Sequence, residues 1–474
     1  TVAIGSRALN SQNFTTATNS YNTAVGADAG LAVTTGVENT LIGGLAGDAL
    51  TDADNNVAVG DFALGADTLG SRSTALGSRA LENQNFTTAT STYNTAVGFH
   101  AGNDITTGIQ NVLIGGLAGD ALTDADFNVG VGLSALGADT LGSRNVALGH
   151  QTLAAQNFTT ATDSYNTAVG FEAGNDITTG IQNTLIGGLA GDALTDADLN
   201  VAVGYAALSS DTLGGLSTAI GYQALKTQNF TTATSTYNTA VGYNAGVLVT
   251  TGVQNVFIGG LAGDAITDAD DNTAVGVGAL TTDTLGSKST AIGRSALQSQ
   301  NFTTATNTYN VGVGHAAGIA VTTGVQNTLI GGEAGDSLTA SNYNVAVGVS
   351  ALGSDTQGFG SVAIGAAALS TMNFGSSTET RCTAVGYQAG RLNQTGTDNT
   401  LIGAQCGDAI TTGFENTAVG HDALGATDNG VRNTAVGHNT LSANCADDNT
   451  CMGDDAGEKV TGSRNTLLGA LTGD

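Results

Sequence analysis

Proline and tryptophan are absent from the 474 residues, and Lys and Arg together number only 12. Without proline, neither a collagen helix nor a proline-rich linker can form. Against 40 Asp and Glu, the few cations leave a net charge of −28. A chain so acidic repels phosphate backbones and anionic headgroups, which argues against nucleic acid and lipid surfaces as partners. No stretch approaches 18 consecutive apolar residues, so no membrane insertion is expected of this segment. Cysteine is missing from the first 381 residues, and the five histidines give no obvious catalytic or zinc set, reading as scattered without a shared phase.

What is present is glycine, 70 residues of it, in a chain that is 41% hydrophobic and therefore not disordered. The pentapeptide Asn-Thr-Ala-Val-Gly and close variants recur from end to end. Their glycines fall at 26, 43, 60 and 77, then at 98, 115, 132 and 149, a 17-17-17-21 rhythm that repeats every 72 residues. With Gly5 before the series and two 16-residue steps at its end, the sequence holds 27 copies. A fixed short period of this kind marks a solenoid. Glycine in every half-turn disfavours the helical alternative by about 1 kcal/mol per residue.

The expected fold is therefore all-β, a parallel β-solenoid (β-roll or β-helix) of about 27 coils forming a single domain over 1–474. Regular cassettes fill 1–381, and more divergent, cysteine-containing coils fill 382–474. At about 4.8 Å per coil such a stack would be on the order of 130 Å long. Each copy carries an aliphatic residue before its glycine and a small or apolar residue before that. Adjacent strand residues face opposite ways, so both faces of the strand are expected to be buried, the outer one by another chain or another side of the coil.

Four positions before the glycine stands Asn in 21 copies, and three after it stands Ala in 23. Asn22, Asn39 and Asn56, with Gly26, Gly43 and Gly60, represent these columns. Stacked coils would place the asparagines in a ladder, each amide bonding the next.

The run N-T-A-V-G-x-x-A-G, as in residues 22–30 and 166–174, resembles the head repeats of trimeric autotransporter adhesins and related repeats of bacteriophage tail fibres. That resemblance implies β-rolls packed side by side as a homotrimer, which would supply the second wall. The chain departs from it in its longer coil, in the insertion in every fourth coil and in having neither a heptad stalk nor a membrane barrel.

Several positions invite a chemical reading. The insertion in every fourth coil reads Gln-Asn-Phe-Thr-Thr-Ala-Thr, and its Asn13, Asn85, Asn157, Asn229 and Asn301 head N-x-T acceptor patterns, with Asn393 as a sixth. These form either a glycosylation or contact stripe along one side of the coil stack, or a loop kept by cassette duplication. Residues 43–54 are similar to calcium-binding β-roll repeats, making Asp48, Asp52 and Asp54, and in the next cassette Asp120, Asp124 and Asp126, candidate Ca2+ ligands. The neighbouring coils lack matching carboxylates, which favours plain solvated turns. Cys382, Cys406, Cys445 and Cys451 are disulfide candidates, Cys445 with Cys451 and Cys382 with Cys406, with free buried thiols as the alternative.

The functional expectation is a non-enzymatic extracellular structural protein, a fibre or filament subunit used in adhesion or surface coating, whose partner is itself, end to end or as a parallel trimer. The alternative is a receptor-binding adhesin or phage tail-fibre shaft on a virion surface that meets a cell-surface glycan or receptor. No cofactor is expected unless the acidic turns take Ca2+. The chain opens and closes on strand sequences, which suggests uncapped ends or a piece of a longer fibre.

Overall fold

In the computed structural model, which describes residues 1–473, the chain is all-β, a parallel β-solenoid of about 27 turns without a helix. Its contacts group into two compact units, Thr1–Tyr237 and Asn238–Asp474. Each unit is built the same way. One three-residue strand per coil, such as Val2–Ile4, Thr23–Val25, Thr40–Ile42 and Val57–Val59, pairs in parallel and in register with the strand of the next coil. In the second unit Thr328–Ile330 and Val345–Val347 do likewise.

Hydrogen bonding along the stack does not stop at the strands. In the turns Asp28 N–H donates to Ser6 O at 2.8 Å, Ala32 N–H to Asp48 O at 2.9 Å and Thr34 N–H to Thr51 O at 2.9 Å. Backbone groups in the turns thus find partners one coil away, which lets a coil this small stay ordered. The turns use left-handed backbone at residues other than glycine, for example Leu45 (φ 55°), Asn55 (φ 60°) and Arg72 (φ 64°). Each such residue costs on the order of 1 kcal/mol, and the inter-coil bonds over-determine it.

The strand-closing glycine has no substitute. Gly60 sits at φ 143°, and a Cβ there would overlap the carbonyl of Gly77 in the next coil. Inside the coil the middle strand residue is buried from Ala24 to Cys451, as with Leu41 and Ala58, together with Ala46, Leu50 and Ala53 from the turns.

The first and third strand residues point outward and are only half covered. Ile42, Ile114 and Ile186 remain 37%, 39% and 40% exposed. This corrects the expectation that both strand faces are buried. The coil walls one face only, because its other segments enclose the lumen and none folds back over the sheet.

Every fourth coil carries the longer segment, which adds a second short parallel pair. Gly70–Ser71 pairs with Thr90–Ser91 and Gly142–Ser143 with Thr162–Asp163, and Gly286–Ser287 pairs with Thr306–Asn307 in the second unit.

Candidate interaction surfaces

The outward face of the long sheets is uniform in chemistry. Every first strand residue is Thr or Val and every third is Val, Ile, Leu or Met, from Val2 and Ile4 to Thr466 and Leu468. None carries a charge, although the chain's net charge is −28. The next outward column, just after the glycine, is rich in rings. His150 stacks on Phe171 at 5.4 Å, Tyr205 on Tyr222 at 5.7 Å and His421 on His438 at 5.5 Å between ring centroids. Four of the five histidines, His150, His315, His421 and His438, therefore share one phase, contrary to the expectation of scatter. Short spacing hid this, because the glycine-relative position shows it and the residue numbers do not.

A second outward column precedes the ladder asparagine. It presents Tyr21, Tyr93, Tyr165, Tyr237 and Tyr309 at 72-residue steps, all at least half exposed. Cations from the coil before cover some of these rings. Arg72 lies 5.6 Å from the Tyr93 centroid, Arg144 lies 5.8 Å from that of Tyr165, and Lys288 lies 5.6 Å from that of Tyr309. Toward the C-terminus the column turns to ion pairs, Arg381 with Asp398 at 2.6 Å and Arg432 with Asp448 at 2.8 Å.

The asparagines of residues 22, 39 and 56 are buried and stack, but not amide to amide. Asn22 Oδ1 accepts from Asn39 N–H at 2.8 Å, and Asn39 Oδ1 from Asn56 N–H at 2.9 Å. Each Nδ2 instead donates to a carbonyl 14 residues on, Asn22 to Gly36 O and Asn39 to Ala53 O, both at 2.7 Å. The ladder thus runs mainly through backbone, which fixes the corner before the strand, and the expected amide-to-amide bonds join it in other coils, as from Asn449 Nδ2 to Asn433 Oδ1 at 3.0 Å and from Asn465 Nδ2 to Asn449 Oδ1 at 2.8 Å.

In the long coils Asn13, Asn85, Asn157, Asn229 and Asn301 are exposed. Their oxygens accept from threonines of the preceding coil where one exists, as Asn85 Oδ1 does from Thr68 at 3.2 Å and Asn157 Oδ1 from Thr140 at 3.1 Å. Asn393 is corrected. It is fully buried, with Oδ1 accepting from Gly396 N–H at 2.8 Å, so it cannot serve as an acceptor site or contact stripe. It fills the lumen slot that Val33 and Ile105 occupy in earlier cassettes.

The coils just before the long ones hide carboxylates that sequence reasoning missed. Asp67, Asp139, Asp211, Asp283 and Asp355 are fully buried in the lumen. Asp67 Oδ1 accepts from Gly70 N–H at 3.0 Å and Phe86 N–H at 3.1 Å, while Oδ2 accepts from Gln84 Nε2 at 2.6 Å. Burial raises its pKa above the usual carboxylate value, against the pull of these donors. The available signal was an Asp kept 17 residues before Gln84, Gln156, Gln228 and Gln300.

Donors from the preceding coil engage the carboxylates of the acidic turns. Asp52 accepts from the Thr35 hydroxyl and Asp54 Oδ1 from Val37 N–H at 2.8 Å. Asp124 accepts from Thr107 and Asp126 from Ile109 N–H in the same way. Burial, and behind it the charge of Asp28, pushes the Asp48 pKa up, and burial with Asp104 does so for Asp120. Among the described residues the one group whose ligand atoms converge is His438, Asp454 and Asp455, and neither acidic triplet does so.

The disulfide pairings are corrected too, since Cys382, Cys406, Cys445 and Cys451 are free and buried. Each thiol replaces a different inward residue. Cys382 stands in the asparagine ladder and contacts Gly396 O at 3.3 Å, Cys406 takes an alanine slot, Cys451 is a middle strand residue, and Cys445 meets the Thr427 hydroxyl at 3.2 Å.

Compared with known proteins, the chain matches no family model and no curated sequence.

Proposed function

We propose that this chain is a non-enzymatic structural subunit of an extracellular fibre, and that copies of it associate side by side through the outward faces of their long sheets. The observation that carries this reading is the absence of any charge from the outward strand residues, first and third in every coil, in a chain of net charge −28. An unbroken, partly exposed column of Val, Ile, Leu and Met beside a column of Thr and Val marks an interaction site. A second copy fits it well, because its side chains repeat at the same spacing of about 4.8 Å along the axis. The repulsion of the acidic remainder keeps association confined to this face. The resemblance of N-T-A-V-G-x-x-A-G to adhesin and tail-fibre repeats supports placement outside the cell or on a virion.

Sedimentation velocity and negative-stain microscopy test the proposal. The wild-type chain should form multimers of fixed width, and Ile186→Glu with Ile220→Glu should release monomers with an unchanged far-UV spectrum. Monomers of the wild type at micromolar concentration would overturn it.

The exposed tyrosine column, Tyr21 to Tyr309, favours a second reading as a receptor-binding adhesin or tail-fibre shaft, since rings repeated at one phase provide a multivalent platform for a cell-surface glycan. Glycan-array binding that is lost on replacing these tyrosines by serine would select it.

A further inference from the structure

His421, His438 and Asp454 occupy the position after the strand-closing glycine in three successive coils, with Asp422, Asn439 and Asp455 beside them. The strands that carry them, Thr417–Val419, Thr434–Val436 and Thr450–Met452, pair in register, so the six side chains form a grid of two columns. The two imidazoles stack with planes 22° apart. His438 Nδ1 lies 3.1 Å from Asp454 Oδ1 and 3.9 Å from Asp455 Oδ1, and His421 Nδ1 lies 3.1 Å from Asp422 Oδ2.

We propose that His438, Asp454 and Asp455 bind a divalent transition-metal ion of the zinc type, with His421 as the adjoining imidazole that Asp422 orients. Ligand atoms on a tetrahedral Zn2+, each about 2.0–2.2 Å from it, lie roughly 3.2–3.6 Å from one another. The two distances at His438 bracket that range, so side-chain rotation alone suffices to close the site. Imidazole nitrogen beside carboxylate oxygen selects zinc, nickel or copper over calcium, which takes oxygen alone. Exposure leaves the entry open and the remaining coordination positions to water. Two carboxylates converging on one ring nitrogen in a strongly acidic chain also repel each other, and a cation relieves this. Elsewhere the histidines lack such company. His100 packs on Phe99 and His150 on Phe171, and neither belongs to a convergent group among the described residues.

Isothermal titration of the full chain with ZnCl2 in metal-free buffer tests the site, and the readout is ions per chain whether or not copies associate. One Zn2+ per chain is expected. His438→Ala and Asp454→Asn should each weaken binding at least about tenfold, His421→Ala should weaken it less, and His315→Ala should leave it unchanged. All four residues are on the surface, so far-UV spectra should not change. Co2+ should give visible d–d absorption that His438→Ala abolishes. The absence of saturable binding up to about 100 μM, equal binding by wild type and His438→Ala, or a thiolate-to-cobalt charge-transfer band in the near-UV would each overturn the proposal.

Discussion

Gln84 donates from Nε2 to the buried Oδ2 of Asp67 at 2.6 Å, and 72 residues later Gln156 does the same to Asp139 at 2.5 Å. The far end of each glutamine accepts from a ladder asparagine, Asn94 at 2.8 Å and Asn166 at 2.9 Å. In the last long coil both partners have changed. Met372 stands for the glutamine and Cys382 for the asparagine, and Asp355 Oδ2 is left without a hydrogen-bond partner. Burial raises the Asp355 pKa, as it does those of Asp67 and Asp139.

Restoring the pair should therefore stabilise the chain. Met372→Gln with Cys382→Asn is expected to raise the urea midpoint by an amount worth about 1.5–3 kcal/mol, the net value of a hydrogen bond to a charged group. Met372→Gln alone restores the donor to Asp355 but leaves its oxygen facing a thiol, so it should recover part of that gain, and Cys382→Asn alone should recover less. A double-mutant cycle measures the coupling. Strict additivity of the two changes would show that the buried network does not act as a unit.

Acidification should strengthen the fold before it weakens it. Burial raises the pKa of the column Asp48, Asp120, Asp192, Asp264, Asp336 and Asp408, and that of Asp192, flanked by Asp176 and Glu172, reaches about 6 from 3.8. A carboxyl whose folded pKa is raised gives its stability fully below the unfolded value and loses it as pH climbs through the folded one. For Asp192 the window runs from 3.8 to about 6. Asp398 and Asp448 shift the other way through hydrogen bonds to Arg381 and Arg432, but both pairs are exposed and weak. The urea midpoint should be higher at pH 5 than at pH 7.5, and Asp192→Asn should narrow the difference. A midpoint that falls on going to pH 5 would refute the sign.

Most of the fold was legible because one residue type had no freedom. Gly26, Gly43 and Gly60 sit where a side chain would strike the next coil, so their spacing reports the coil length directly. The lumen was legible from Leu41 and Ala58 for the same reason, since each must fit a fixed radius. Solvent exposure was not legible. Val25 and Ile42 look as apolar as core residues, and only the coil's path shows that their own chain leaves them partly open. Asp67 was missed because a buried carboxylate and a turn carboxylate look alike until the donors around them are known. The left-handed turn residues, Leu45 and Arg72 among them, lack the usual Gly or Asn signature because hydrogen bonds from adjacent coils hold them.

The four thiols should behave as unreactive lumen residues. Burial pushes the Cys382 pKa up to about 11 and that of Cys406 to about 12, and raises those of Cys445 and Cys451. Thiolate is the reactive form, so Ellman's reagent should titrate no thiol in the native chain and all four after unfolding in guanidinium. Dithiothreitol should leave the thermal midpoint unchanged. A mass lower by two hydrogens per pair in non-reduced, denatured protein would show that disulfides form after all.

Self-association through the outward sheet face has a salt dependence that separates it from an ionic interface. Thr40, Ile42, Val57 and Val59 offer no charge to pair, while the acidic turns on either side repel across the contact. Raising ionic strength shortens the Debye length from about 10 Å at 0.1 M to about 3 Å at 1 M and removes that repulsion without weakening the apolar contact. Sedimentation at increasing NaCl should show a larger multimeric fraction, and Val59→Lys should reduce it at every salt concentration. Dissociation by salt would mean that ion pairs between copies hold them together, and the sheet face would then be exposed for some other partner.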